Sequence, residues 1–180
     1  MIFATVGTQL PFDRLLSGLD SWAVRNPEVP ILAQAGVSER RFGHIRTVSQ
    51  LSQADFQAQF EKARLIVAHA GMGTILSAAE LGKPVILMPR RAKFKEHRND
   101  HQQDTAREMS RLSNVTVVSD GEALHEALDD AIASGFEVLG AAASPEADEL
   151  APLIDAIRDF VWAGERSVPL RRALFRGSAT

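Results

Sequence analysis

The residues best suited to chemistry fall in three short segments, each of a kind that receives an anionic or oxygen-rich ligand. The first is Gly7-Thr8-Gln9, directly after an apolar run from Ile2 to Val6. A glycine there lets the backbone turn sharply and approach a ligand. Thr8 adds a hydroxyl and an N–H near a helix start, where free amides favour phosphate. The same composition also suits an ordinary strand-to-helix turn.

The second segment is His69-Ala70-Gly71-Met72-Gly73-Thr74. Gly71 and Gly73 remove the Cβ atoms that would hold a ligand away, and unpaired N–H groups at a helix start face an anion. No Gly-Lys-Ser/Thr ending follows, so this is not a Walker A loop. Leu76 stands where a Gly-x-Gly-x-x-Gly fingerprint needs its last glycine, which disfavours dinucleotide binding. His69 has two readings, direct proton transfer or orientation of the loop.

The third segment, Pro89 to Gln102, carries five cations: Arg90, Arg91, Lys93, Lys95 and Arg98. Arginine forks match a carboxylate or a phosphate, although a charge run also makes a plain solvated face. His97 and His101 are four residues apart, a zinc spacing on a helix. No Glu stands in the expected place and no third ligand is in sight, so no metal is expected.

These segments need elements to position them. Short apolar runs at Ile2–Val6, Pro30–Ala33, Ile45–Val48, Leu65–Ala68, Val85–Met88 and Val115–Val118 read as buried strands. Between them lie helical patterns. Phe12, Leu15, Leu16, Leu19 and Trp22 mark one apolar face, with Pro11 suited to its first turn. Further helices are predicted from near Ser52, and over Thr74–Leu81, Asn99–Leu112, Glu122–Ala133 and Ala147–Val161. The stretch from Ser134 to Glu146 is rich in small residues and reads as loop. Continuous apolar strands alternating with helices predict an α/β fold, a parallel sheet with helices on both faces. In such sheets ligands sit at the carboxyl ends of strands, where all three segments fall.

Bulk properties narrow the field further. The 180 residues suit one domain, and a 45% hydrophobic share supports a core. A net charge of -3 argues against a nucleic-acid partner. The absence of cysteine excludes disulfides and thiolate metal sites. The opening Met1-Ile2-Phe3-Ala4-Thr5-Val6-Gly7 shows no secretion signal, and no run approaches the roughly 20 apolar residues of a membrane span. A cytoplasmic protein is expected.

Taken in order, the segments resemble the C-terminal domain of GT-B glycosyltransferases. That branch includes the transferase that completes lipid II and the small cytosolic subunit of the two-subunit dolichol-linked N-acetylglucosaminyltransferase. The residues carrying the resemblance are His69-Ala70-Gly71-Met72-Gly73-Thr74, Gly82-Lys83-Pro84-Val85-Ile86, His101-Gln102 and the opening Thr5 to Asp13. The run Met88-Pro89-Arg90-Arg91 through Glu96 to Gln102 is most similar to PssE-type subunits of exopolysaccharide glucuronosyltransferases.

The resemblance implies a single Rossmann-like GT-B half domain over 1–162, followed by a basic tail at 163–180 for a partner or anionic lipid. It implies a UDP-sugar as substrate and no cofactor. The donor-binding residues would be Gly7, Thr8, Gln9, His69, Ala70, Gly71, Met72, Gly73, Thr74, Ser77, Arg90, Arg91, Arg98, His101 and Gln102, with His69 the candidate for catalysis. Ser77 stands where relatives often place a ribose-binding glutamate, with Glu80 one turn on, and Thr105 replaces a common asparagine.

The implied function is the donor-binding subunit of a two-subunit inverting transferase, moving glucuronic acid from UDP-glucuronate to a lipid-linked oligosaccharide. The partner would be a membrane-anchored, acceptor-binding subunit of PssD type, holding this chain at the inner face of the plasma membrane. UDP-N-acetylglucosamine and UDP-glucose are alternative donors. A non-catalytic nucleotide-sugar-binding or regulatory subunit is the alternative role. A sugar-nucleotide epimerase would need two such domains in one chain.

Overall fold

The computed structural model describes residues 1–136; the helix expected at 147–161 and the tail at 163–180 lie outside the described residues. Six parallel strands are present: β1 (Ile2–Thr5), β2 (Ile31–Gln34), β3 (Arg46–Val48), β4 (Leu65–Ala68), β5 (Val85–Leu87) and β6 (Val115–Val117). Five α-helices connect or follow them: α1 (Asp13–Ala23), α2 (Gln53–Lys62), α3 (Met72–Glu80), α4 (His101–Met109) and α5 (Gly121–Ala133).

The strands lie in the order β3-β2-β1-β4-β5-β6. Central β1 and β4 are buried at every residue, which is why both read as unbroken apolar runs. Ile2 sits opposite Ile31 and Leu65, and Thr5 opposite Gln34 and Ala68.

Alternate residues feed opposite faces. Ile2, Ala4, Val6, Leu65 and Val67 join a core with Leu15, Leu16, Leu19 and Trp22 of α1 and Leu124 and Leu128 of α5. Trp22 Nε1 donates to Asp129 at 2.7 Å, tying α1 to α5. Phe3 points the other way and meets Phe56 and Phe60 of α2 edge-on, with ring centroids 5.3 and 6.3 Å apart. Ser52 caps α2 by accepting from Asp55 N at 3.1 Å. Lys83, from the Gly82-Lys83-Pro84 motif, closes its far end by donating to the carbonyls of Glu61 and Ala63 at 2.6 and 2.9 Å.

Three boundaries differ from the sequence expectations. Pro11 lies one residue before the α1 N-cap, Phe12, outside the first turn. Helix α3 starts at Met72, because extended Gly71 already serves as its N-cap. The helix expected from Asn99 starts at His101, after a separate 3₁₀ turn at Ala92–Phe94. Lys95, left-handed at φ 59, ends that turn. Asp100 spends its carboxylate on Ala92 N at 2.8 Å instead of capping α4.

The sheet grows outward in both directions from the β1–β4 pair. Connections leaving these two strands run opposite ways, so a crevice opens between their carboxyl ends.

Candidate functional site

That crevice holds a cavity of about 290 Å³, walled by the Val6–Leu10 segment, His69, Arg90, His97 and Gln102. Two larger hollows, about 500 Å³ beside β2 and β3 and about 580 Å³ beside α1, share none of these walls. The smaller cavity occupies the ligand end of the sheet, and its walls carry the chemistry.

Gly7 turns the chain after β1 with φ +76, a left-handed value that favours glycine. Its second duty is to make room. A Cβ on Gly7 would stand 3.1 Å from His69 Cε1, and one on Gly71 only 2.5 Å from His69 Nε2. The His69 ring is wedged between the two glycines. Gly71, expected to make room for a ligand, makes room for this imidazole. Gly73 has no neighbour within 4 Å of its would-be Cβ, so it leaves that face open. Gly36, on the loop after β2, is a third requirement. With φ +60 and a would-be Cβ 2.6 Å from Gly7 O, it lets that loop back the Gly7 turn.

Burial, then the charge of Arg90, lower the His69 pKa to about 4, with the nearby Thr5 backbone opposing. His69 is therefore neutral at physiological pH. Its Nδ1 is buried without a partner among the described residues.

Two residues on from His69, Gly71 caps α3 with no side-chain hydrogen bond. The first helical hydrogen bond runs from Ile75 N to Gly71 O at 3.3 Å. The N–H groups of Met72, Gly73 and Thr74 have no partner among the described residues. They form a positive helix end beside the cavity. Ser77 lies one turn further along the same helix, half-buried.

Arg90 differs from its expected use. It is 3% exposed, and its guanidinium points inward. One terminal nitrogen donates to Pro11 O and Glu96 O at 2.8 and 3.0 Å, the other to Val6 O and Leu10 O at 2.5 and 2.8 Å. The plane stacks on Phe12, 4.7 Å from its centroid. Burial lowers its pKa to about 10, with Glu96 opposing, so it stays charged. Four carbonyls occupy the fork, which staples the Val6–Pro11 segment to the loop after β5.

Glu96 extends this staple. Its carboxylate accepts from Arg14 Nε and a terminal Arg14 nitrogen at 2.8 and 2.9 Å, and from Arg91 N at 2.9 Å. Arg14 also donates to Pro89 O and Ser119 O, both at 2.9 Å. Gln102 is 5% exposed, and its Oε1 accepts from Arg90 N at 3.1 Å.

Of the residues proposed from sequence, Gly7, Thr8, Gln9, His69, Arg90 and Gln102 meet around the cavity. Ala70 to Thr74 form the adjoining helix start. Arg91, Arg98 and His101 are not among its walls. Arg91 lies close enough to Asp120 to lower that carboxyl's pKa slightly, behind the stronger hydrogen bonds from Ser119 and Ala123. Arg98 and His101 are exposed. His101 Nδ1 pairs with Asn99 Oδ1. The His97 and His101 rings meet edge to face, centroids 4.5 Å apart. Among the described residues no three His, Cys, Asp or Glu side chains gather as metal ligands. No described helix is long and apolar enough to cross a membrane.

Sequence patterns did not single out Arg14, Glu96 or Gly36, and weighed His97 only as a metal ligand. The one available signal was Glu96 itself, an acid inside a basic run.

Residues 1–151 match the glycosyltransferase family 28 C-terminal domain. Over 81 residues, 45% of this chain, the sequence is 36% identical to a UDP-N-acetylglucosamine--N-acetylmuramyl-(pentapeptide) pyrophosphoryl-undecaprenol N-acetylglucosamine transferase of Solibacter usitatus (strain Ellin6076). That match spans 21% of the transferase. Among solved structures, MurG of Acinetobacter baumannii is similar with a TM-score of 0.54 and 19% identity, over 87% of this chain and 49% of that one. The solution structure of ALG13 is similar with a TM-score of 0.57 and 16% identity, over 85% of this chain and 94% of that one. The UDP-GlcNAc 2-epimerase of Neisseria meningitidis shares the fold with a TM-score of 0.57 and 13% identity, over 77% of this chain and 38% of that one. The chain thus has the Rossmann-like half-domain fold of GT-B proteins and spans about half the length of MurG.

Proposed function

The chain belongs to the glycosyltransferase family 28 C-terminal domain family, and from that premise we propose that it is the donor-binding half of an inverting glycosyltransferase. One observation carries this reading. The glycine turn after β1, His69 and Gln102 line the cavity at the β1–β4 crevice, and the uncapped start of α3 follows His69 by two residues. Free N–H groups at α3 suit the diphosphate of a UDP-sugar, and the same groups would stabilise the UDP leaving group.

In the proposed reaction an acceptor hydroxyl attacks the anomeric carbon of the sugar from the face opposite UDP. The bond from that carbon to the β-phosphate oxygen breaks, and a base takes the hydroxyl proton. We place that base on the other half of the enzyme. His69 is wedged between two glycines, and burial disfavours its protonated form. These features fit a residue that shapes the loop.

The cavity, about 290 Å³, falls at the lower edge of the roughly 300–1,000 Å³ that enclose small ligands. A second wall is therefore part of the proposal: a membrane-anchored, acceptor-binding partner subunit acting on a lipid-linked oligosaccharide in exopolysaccharide synthesis. The donor proposed is UDP-glucuronate. Exposed Arg98, on the same loop as half-buried Arg91, offers charge for the extra carboxylate at the rim. Arg90 is excluded from that task by its four carbonyl partners.

The test is glycosyl transfer by the full chain with its partner subunit. Transfer from UDP-glucuronate exceeding that from UDP-glucose, and falling in Arg98→Ala, is the expected result. Equal use of both donors would remove the glucuronate assignment. A regulatory subunit would keep transfer in Gly73→Asp, whereas a donor-binding subunit loses it.

A further inference from the structure

We propose that the 3₁₀ turn after β5 is a contact for an anionic phospholipid surface, made by Phe94 and the lysines on either side of it. This chain would then touch a bilayer directly, with or without a partner, and the contact does not depend on the donor-site reading above.

Lys93, Phe94 and Lys95 are consecutive and all exposed. The Phe94 ring is 50% exposed, whereas Phe3, Phe12, Phe60 and Trp22 are fully buried. Leaving that ring in water forgoes the free energy of burying it. The backbone is strained at the same place, since Lys95 is left-handed at φ 59. Hydrogen bonds nevertheless hold the tip: Lys95 N donates to Ala92 O at 2.8 Å and Phe94 N to Arg91 O at 3.1 Å. The turn is a built projection. Lys93 Nζ and the Arg14 guanidinium lie 4.8 and 5.2 Å from the ring centroid, so cations surround the exposed aromatic.

The loop after β2 extends the same face. Phe94 meets Arg14 while Ser38 Oγ donates to Asp13 at 2.5 Å, so both loops flank the first turn of α1. Val37 is 52% exposed, and exposed Arg40 and Arg41 line the hollow beside α1 with Arg14. Lys93, Lys95, Arg40 and Arg41 have no acid partner among the described residues. The chain as a whole carries a net charge of -3, so gathering these cations sets one face against the rest.

Shape and charge type favour lipid over a protein partner. None of Lys93, Phe94 and Lys95 lines the hollows described above. A projecting ring sinks into a soft headgroup layer without needing a matching pocket. Lysine ammoniums are compact, mobile charges that suit fluid phosphodiesters. The contact also leaves the crevice usable. Crossovers between parallel strands are right-handed, and those from β1 to β2 and from β4 to β5 run opposite ways across the sheet. Helices α1 and α3 therefore cover opposite faces, and a bilayer on the α1 side leaves the start of α3 clear.

The experiment is co-sedimentation of the full chain with vesicles of phosphatidylcholine alone, and of phosphatidylcholine and phosphatidylglycerol in equal parts. Wild type should bind the anionic vesicles at least about tenfold more tightly, and less as salt rises. Phe94→Ala should lose about fivefold, and Phe94→Trp should keep binding. Lys93→Gln with Lys95→Gln should lose about tenfold or more. Melting should match wild type, and the lysine pair carries the comparison if Phe94→Ala melts early. Arg171→Gln with Arg172→Gln controls for the basic tail. Binding lost in that control but kept in the Phe94 and lysine variants would overturn the proposal. So would wild-type binding that is absent or indifferent to lipid charge. Variants that keep vesicle binding but lose the partner subunit would show a protein-docking face instead, and overturn it too. UDP titration of the same variants tests the donor site separately and should give wild-type affinity.

Discussion

The inner wall of the crevice and its outer rim come from one run of sequence, and cations within it have opposite fates. Arg90 is 3% exposed and gives its guanidinium to four carbonyls. Lys93, Lys95 and Arg98 point to solvent. Distance from the strand makes the difference. Met88 and Pro89 continue the buried path of β5, so Arg90 emerges under the Val6–Pro11 segment. The 3₁₀ turn then swings the following cations out. A cation beside a ligand site can therefore be part of the frame, and only those past the turn remain available to a ligand.

The sharpest way to break this distinction is to remove the staple. Arg90→Ala leaves four carbonyls without their donor and should cost about 3 kcal/mol or more in denaturant unfolding. Arg90→Lys should recover little, because a point charge cannot fork. Arg98→Ala should stay within about 0.5 kcal/mol. Equal costs at both positions would erase the difference between wall and rim.

A pH titration probes the same wall through His69. Its pKa falls from 6.5 in an unfolded chain to about 4 in the fold, so the unfolded state binds the extra proton between those values. Stability is full above about pH 6.5 and declines as pH drops toward 4, by up to about 3 kcal/mol. His69→Gln should flatten that decline in denaturant melts taken across the range. An unchanged slope would show that His69 is not the group responsible.

Next comes the wedge. Gly71→Ala should cost about 2 kcal/mol through its contact with His69 Nε2, and far less in a His69→Ala background. Additive costs would contradict the wedge.

The smallest effect belongs to the rim. Lys95→Gly relieves a left-handed backbone, φ 59, and should leave stability equal or raised by under about 1 kcal/mol, read as the unfolding midpoint.

Legibility in the sequence follows the same division. Strands β1 and β4 were readable because burial on both faces demands unbroken apolar runs. Their loops were readable because glycine after a strand has few uses. The fate of Arg90 was not readable, because its partners Val6 and Leu10 lie 84 and 80 residues away in the chain. The start of α4 was missed because Asp100 had two possible uses, and the structure gives it to Ala92 N. His97 was read as half of a zinc pair, since spacing shows four residues but not that a 3₁₀ turn and a loop precede the helix.

The central claim is that a nucleotide-sugar donor binds at the start of α3, and Gly73 tests it most directly. An acid in the first turn of a helix favours the helix, and Gly73 has open space around it, so Gly73→Asp should fold as well as wild type. The same carboxylate would stand against the diphosphate. Titration of UDP-glucuronate into the full chain should show binding by wild type and at least a tenfold loss in Gly73→Asp, with thermal stability unchanged or raised. Undiminished binding by a stable Gly73→Asp protein would contradict the account.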